Sequence, residues 1–239
     1  MSHIADTIIV ALDFDGCVAS SEKAKIFHTK RMYGVEVGSS QITKDTYPLG
    51  PEKYGEMMDN ILIDGIMEFE LGTRVKDILN KMYEEGFRFQ IVTSRYGTKE
   101  RPEIDACVYF CEFHELPIEE YYSTGEMPKK DICKEINARA MIDDTLSKLL
   151  ELVDTPIQLF YIKQPWNAHE KIMKRNKEAI IKVQSWVEFY AQMRSLKTQH
   201  EAICKHLNIS NNSDNLEQIV DFYKTRPKHA EKLKRDYGP

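Results

Sequence analysis

The sequence predicts an α/β fold in which a parallel sheet is flanked by helices. Three observations carry this reading. Strand-length apolar runs recur along the chain, each strong run ends abruptly in polar residues, and helical patterns of about ten residues lie between the runs. Strands that alternate with helices need crossover connections, and crossovers give parallel pairing. In such sheets ligands bind beyond the carboxyl ends of the strands, which is where the polar clusters fall.

Taken in order, residues 7–12 are the first run, and it stops at Asp13, Phe14, Asp15 and Gly16. Residues 18–72 are too long for one crossover. They hold helical pieces at 22–32 and 54–60, split by Tyr47, Pro48, Leu49, Gly50 and Pro51, and are expected to form a small inserted helical cap. Val75, Ile78, Leu79 and Met82 share the face of a helix closed by Gly86. The second strong run, 87–92, ends in Thr93, Ser94 and Arg95. A helix at 104–114, a weaker strand at 121–123 and a helix at 130–137 follow, and the third strong run, 138–142, ends in Asp143 and Asp144. A helix at 146–153, weaker strands at 157–162 and 179–183, and a helix at 186–193 complete the alternation. Beyond residue 197 there is no strand pattern, only helical stretches at 201–207 and 216–223. The expected division is a core of residues 1–17 and 73–196, a cap of 18–72 and a helical C-terminal appendage of 197–239.

The 239 residues correspond to one domain with an addition, at roughly 150 residues per domain. With 42% hydrophobic and 30% charged residues the chain can bury a core and is neither disordered nor fibrous. A net charge of −5 argues against a protein that coats nucleic acid through its overall field. No run reaches the roughly 18 apolar residues of a membrane span, and residues 1–6 lack a charged then apolar leader pattern. A cytoplasmic location is expected, with Cys17, Cys107, Cys111, Cys133 and Cys204 as free thiols.

The chemistry is concentrated at the strand ends. Asp13 and Asp15 can reach one space from two angles, one as nucleophile and the other as acid and base. Gly16 allows the turn that aims them. The same four residues also make an ordinary turn sequence, but Thr93, Lys129 or Lys130, and Asp143 with Asp144 add a hydroxyl, a cation and further carboxylates at other strand ends or helix starts. Carboxylates hold a hard divalent cation, while a hydroxyl and an ammonium steady phosphoryl oxygens. The combination points to phosphoryl transfer.

These residues resemble the four motifs of the haloacid-dehalogenase (HAD) superfamily, in family order: 13–18, 91–94, Lys129 and 142–144. The order differs from that of response-regulator receivers, whose paired acids come first. Within the superfamily, the short cap between the first two motifs and residues 159–167 resemble the 5′(3′)-deoxyribonucleotidase-like branch. The resemblance implies a Rossmann-like HAD fold and a Mg²⁺-dependent phosphomonoesterase that works through an aspartyl-phosphate. It implies Asp13 as nucleophile, Asp15 as acid then base, Thr93 and Ser94 on the phosphate, Lys129 neutralising phosphate and nucleophile, and Mg²⁺ held by Asp13, the Asp15 carbonyl and Asp143. Nucleoside monophosphates are the leading substrate class. Sugar phosphates, phosphorylated nucleic-acid ends, and a non-catalytic binding module on the same fold are the alternatives.

Other features have plainer readings. Cys107, Cys111 and His114 are spaced as a zinc site requires but lack a fourth ligand, so buried thiols are expected. Arg95 is either a phosphate or base contact or a surface arginine, and Arg101 likewise. Of Phe27, His28, Met32, Tyr33, Tyr47, Tyr54 and Phe69, one or two are expected to face substrate and the rest to form cap core. Residues 224–239 carry a local basic excess, read as a solvated helix face or a docking patch for nucleic acid or an acidic partner.

Overall fold

The computed structural model describes residues 7–207. In chain order they form β1 (Ile8–Leu12), β2 (Ala19–Ser20), α1 (Glu22–Tyr33), α2 (Gly50–Ile61), β3 (Glu70–Leu71), α3 (Val75–Glu84), β4 (Phe87–Thr93) and α4 (Glu103–Phe113). Then come β5 (Ile118–Ser123), α5 (Lys129–Glu135), β6 (Ala140–Asp143), α6 (Leu146–Leu150), β7 (Gln158–Ile162), β8 (Ile180–Val183) and α7 (Trp186–Leu207).

Six strands make one sheet in the order β5-β4-β1-β6-β7-β8, with every pair parallel. The α/β fold with a parallel sheet is as the sequence predicts. β1, β4 and β6 are buried almost throughout, because interior parallel strands are covered on both faces and so read as unbroken apolar runs. Leaving β1 the chain first builds β4 and β5 on one side, then returns to build β6, β7 and β8 on the other. Strand order therefore reverses beside β1, and such a switch point opens a crevice at the carboxyl ends.

The segment between β1 and α3 holds α1 and α2, which pack on each other, and a short antiparallel ladder of β2 with β3 at its base. That ladder, two residues a side, is too short to show as a sequence period. α2 begins at Gly50, four residues before the expected start, because Pro51 sits in its first turn, where its missing N–H costs nothing.

α7 runs unbroken from 186 to 207, so the expected boundary at 197 falls inside a helix. The stripe of Trp186, Phe189, Tyr190 and Met193 is buried, and Leu196 extends it against the same core. Lys197 then donates from Nζ to the Glu85 carbonyl. The segments 216–223 and 224–239, and Cys204, lie outside the described side chains. Among the described residues no helix is long and apolar enough to cross a membrane.

Candidate active site

The site is built outward from the end of β1. The backbone N–H of Asp13 donates to the Ile142 carbonyl at 3.0 Å, which ties the β1 end to the β6 end. Phe14 between the two acids is fully buried and packs edge-on against Phe110, so Asp13 and Asp15 flank a fixed anchor. Gly16 has φ +78°, a left-handed conformation that glycine adopts without strain. A Cβ there would overlap the Asp144 carboxylate.

Lys129, the first residue of α5, is buried between the first and last motifs. Its Nζ donates to Asp13 Oδ1 at 2.6 Å and to Asp143 Oδ2 at 2.7 Å. Burial alone would lower the lysine's affinity for its proton, but the two carboxylates overcome that and hold it charged. Lys130 instead pairs with Asp154 at 2.7 Å on the exposed side. Of the two candidate lysines, Lys129 is the one whose Nζ reaches the acids at the strand ends.

Carboxylate oxygens of Asp13, Asp143 and Asp144 lie within 4.8 Å of one another, all three residues being buried. Burial, first, and the neighbouring carboxylates push Asp13 well above the usual range despite Lys129. Burial and Asp143 push Asp144 up to about 7. Ionised, the three acids carry three negative charges against the one positive charge of Lys129, an imbalance of two. Hard oxygen donors with that charge suit a divalent cation such as Mg²⁺, so these residues fit the metal that the resemblance implies. Asp144 belongs to this group, although the resemblance gives only its neighbour Asp143 as a metal ligand.

The Asp15 carboxylate stands outside this group. Its carboxylate is turned to Arg95, whose Nε donates to Oδ2 at 2.8 Å and whose Nη2 donates to Oδ1 at 2.9 Å. Arg95 Nη1 donates to the Leu62 carbonyl at 2.7 Å, and the guanidinium lies over the rings of Phe14 and Phe69. Burial works to raise the Asp15 pKa, but Arg95's charge and hydrogen bonds outweigh it and leave the carboxyl below its ordinary value. The surface reading of Arg95 is incorrect: the side chain is buried. A half-buried carboxylate three residues past the end of β1 gains from a cation beside it, which is the signal that would have pointed to Arg95.

Thr93 is buried at the end of β4, its Oγ1 accepting the Arg95 N–H at 3.3 Å, and Ser94 beside it is half-buried. The turn after β7 braces the acids. Trp166 Nε1 donates to Asp144 Oδ2 at 2.6 Å, Asn167 Nδ2 to the Asp144 carbonyl at 2.7 Å, and Gln164 Nε2 to the Gly16 carbonyl. From α1, the charge of Lys25 favours the ionised forms of both Asp15 and Asp144.

The remaining candidates stand apart. Cys17, Cys107 and Cys111 are buried free thiols, and Cys107 Sγ donates to the Glu103 carbonyl. His114 packs against Phe110 and Phe113. Arg101 pairs with Glu103 and lies over Tyr96. In the inserted segment Tyr47 and Phe69 are buried, while Phe27 is 55% exposed.

No protein-family profile matches the chain, and no curated protein matches it. Solved structures do. A predicted phosphatase from Clostridium acetobutylicum superposes with a TM-score of 0.57 at 15% identity, over 79% of this chain and 98% of that one. A haloacid dehalogenase-like hydrolase from Streptococcus pneumoniae gives 0.52 at 14%, over 78% and 98%. CbbY from Rhodobacter sphaeroides, in complex with xylulose-1,5-bisphosphate, gives 0.52 at 14%, over 75% and 95%. At such identities the likeness establishes architecture: the chain has the Rossmann-like fold of HAD-type hydrolases, with a buried acidic cluster at its switch point.

Proposed function

We propose that the protein is a Mg²⁺-dependent phosphomonoesterase acting through an aspartyl-phosphate. The single observation that carries this reading is Lys129 bridging Asp13 and Asp143 at the end of β1, with Asp144 beside them. Asp13 attacks phosphorus, the ester oxygen leaves with a proton, and water then releases phosphate from Asp13. Lys129 neutralises charge on the nucleophile and on the transferring oxygens, and the hydroxyls of Thr93 and Ser94 donate hydrogen bonds to those oxygens. Asp13, the Asp15 carbonyl and Asp143 would hold the ion, with Asp144 supporting it. When bound, Mg²⁺ supplies charge stabilisation at the phosphoryl oxygens.

Asp15 is the acid and then the base. Arg95 favours its ionised form, which suits the second half-reaction, where Asp15 takes a proton from water. Protonating the leaving oxygen needs the same carboxyl turned from Arg95 toward the substrate. Residues 18–72 act as the small cap that contacts the leaving group.

Nucleoside monophosphates are the leading substrates, supported by the 5′(3′)-deoxyribonucleotidase-like pattern of residues 159–167. Sugar phosphates form the second reading, supported by the likeness to CbbY with its bound bisphosphate. Phosphate release from a panel of nucleotides, sugar phosphates and p-nitrophenyl phosphate, with Mg²⁺ or EDTA, tests the reaction. Release on at least one substrate that EDTA abolishes is expected, and none on any would overturn it in favour of a binding module.

A further inference from the structure

Parallel strands need a crossover, ordinarily a helix. Between β7 and β8, residues 163–179 make that crossover without an α-helix. Uncharged and apolar groups fix this strap in place: Gln164 on Gly16, Trp166 and Asn167 on Asp144, and Ile172 against the core around Leu159 and Tyr161. Its charged residues are five cations, Lys163, Lys171, Lys174, Arg175 and Lys177, against Glu170 and Glu178. All five cations are exposed. Glu170 is occupied in accepting the Tyr161 hydroxyl at 2.9 Å, and among the described residues no ion pair engages any of the five cations. The strap thus displays positive charge that its own folding does not use, on a protein whose net charge is −5.

Placement gives that charge a direction. The strap leaves β7 at the carboxyl edge, where Trp166 touches Asp144, and reaches β8 at the opposite edge. Its cations follow one another along the chain from Lys163, the residue after β7, to Lys177, three residues before β8, and the strap spans the length of a five-residue strand, about 17 Å. A single phosphate at the site would not span that length, whereas a chain of phosphates would.

We propose that the strap docks single-stranded nucleic acid, whose terminal phosphomonoester enters the acidic site while the following backbone phosphates lie along Lys171, Lys174, Arg175 and Lys177. This rests on the phosphatase reading and extends its substrate from the single nucleotide to the end of a chain. Local cations act on a polyanion despite the negative total, since charges beyond about 10 Å are screened at ordinary salt. Neutralising about three to four phosphates gives log K a slope of about −2 to −3 against log salt.

The test is fluorescence anisotropy of full-length Asp13→Asn protein with Mg²⁺, so that no turnover intervenes and the acidic site keeps a cation, with labelled decanucleotides bearing a 3′-phosphate, a 5′-phosphate or none. Binding at least tenfold tighter than a competing mononucleotide, with that slope, is expected for one of the two phosphorylated ends, which names the end. Replacing Lys171, Lys174, Arg175 and Lys177 together by Ala should weaken binding at least tenfold and flatten the slope by about two. Where p-nitrophenyl phosphate is turned over, the variant's kcat/KM should fall at least tenfold further on the oligonucleotide than on that small ester. Circular dichroism checks the fold, and Lys174→Glu with Lys177→Glu provides a second variant. Mononucleotide and oligonucleotide binding alike, a slope near zero, an unaffected variant, or equal displacement by polyglutamate would overturn the proposal. Salt-dependent binding without turnover of any ester would leave the docking intact and count against the phosphatase reading alone.

Discussion

Arg95 grips both carboxylate oxygens of Asp15, at 2.8 and 2.9 Å, while its remaining nitrogen reaches the Leu62 carbonyl in the inserted segment. The expected acid and base therefore sits in a two-point ion pair that also fastens the insert to the sheet. Removing Asp15 leaves the buried Arg95 guanidinium without its carboxylate, which costs more than removing both partners. In a urea double-mutant cycle, Arg95→Ala and Asp15→Asn should show a coupling of about 1–3 kcal/mol. Additive effects would mean that the pair contributes nothing to the fold.

Lys129→Ala should lower kcat about 100- to 1,000-fold, the scale for deleting one preorganised charge-stabilising group. Lys130→Ala should change it less than about twofold, since Lys130 faces Asp154 on the exposed side. Steady-state kinetics on p-nitrophenyl phosphate compares the two directly, and a reversed ranking would contradict the arrangement described.

What the sequence reveals and what it conceals divide along physical lines. β1, β4 and β6 are legible because both faces are buried and the apolar run is unbroken. Only the end of β5 is legible, because it is an edge strand carrying exposed Glu119 and Glu120. The positions of Asp13 and Asp143 follow from strand ends, whereas a helix start leaves Lys129 and Lys130 both open, because adjacent lysines carry the same chemistry. The Arg95–Asp15 pair joins residues 80 apart in the chain, and no local period reports a contact of that kind. Trp166 on Asp144 is hidden for the same reason.

Gly16→Ala should be far more damaging than its size suggests. The position has φ +78°, and the added methyl would overlap the Asp144 carboxylate, so backbone strain and a displaced acid combine. Activity should fall at least about 100-fold, with a lower Tm by differential scanning fluorimetry. Wild-type Mg²⁺ response in the variant would show that Asp144 is not part of the metal group.

Crowded acids make stability depend on pH and on metal. Burial and Asp143 raise Asp144 from 3.8 to about 7, so the folded state holds a proton that the unfolded state has lost. That contribution is fully present below about pH 4 and disappears as pH rises through about 7. Asp15, lowered by Arg95 against its burial, acts in the opposite sense, losing its contribution only as pH falls below the ordinary carboxylate range. The metal-free protein should therefore lose Tm between pH 5 and pH 8 as this acid ionises, and Mg²⁺ should raise Tm more at the upper end. An equal Mg²⁺ shift at both ends would contradict the assignment of these acids to the metal.

In the proposed mechanism Asp13 carries the phosphoryl group between two half-reactions divided by Asp15. Rapid-quench mass spectrometry of Asp15→Asn with p-nitrophenyl phosphate separates the two, because that leaving group needs little protonation while the second step still lacks its base. A burst of nitrophenol should accompany a hydroxylamine-sensitive phosphoryl adduct on the peptide containing Asp13, and Asp13→Asn should form none and turn over nothing. No adduct on Asp15→Asn, together with slow steady phosphate release by Asp13→Asn, would mean that water attacks phosphorus directly and that Asp13 is not the nucleophile.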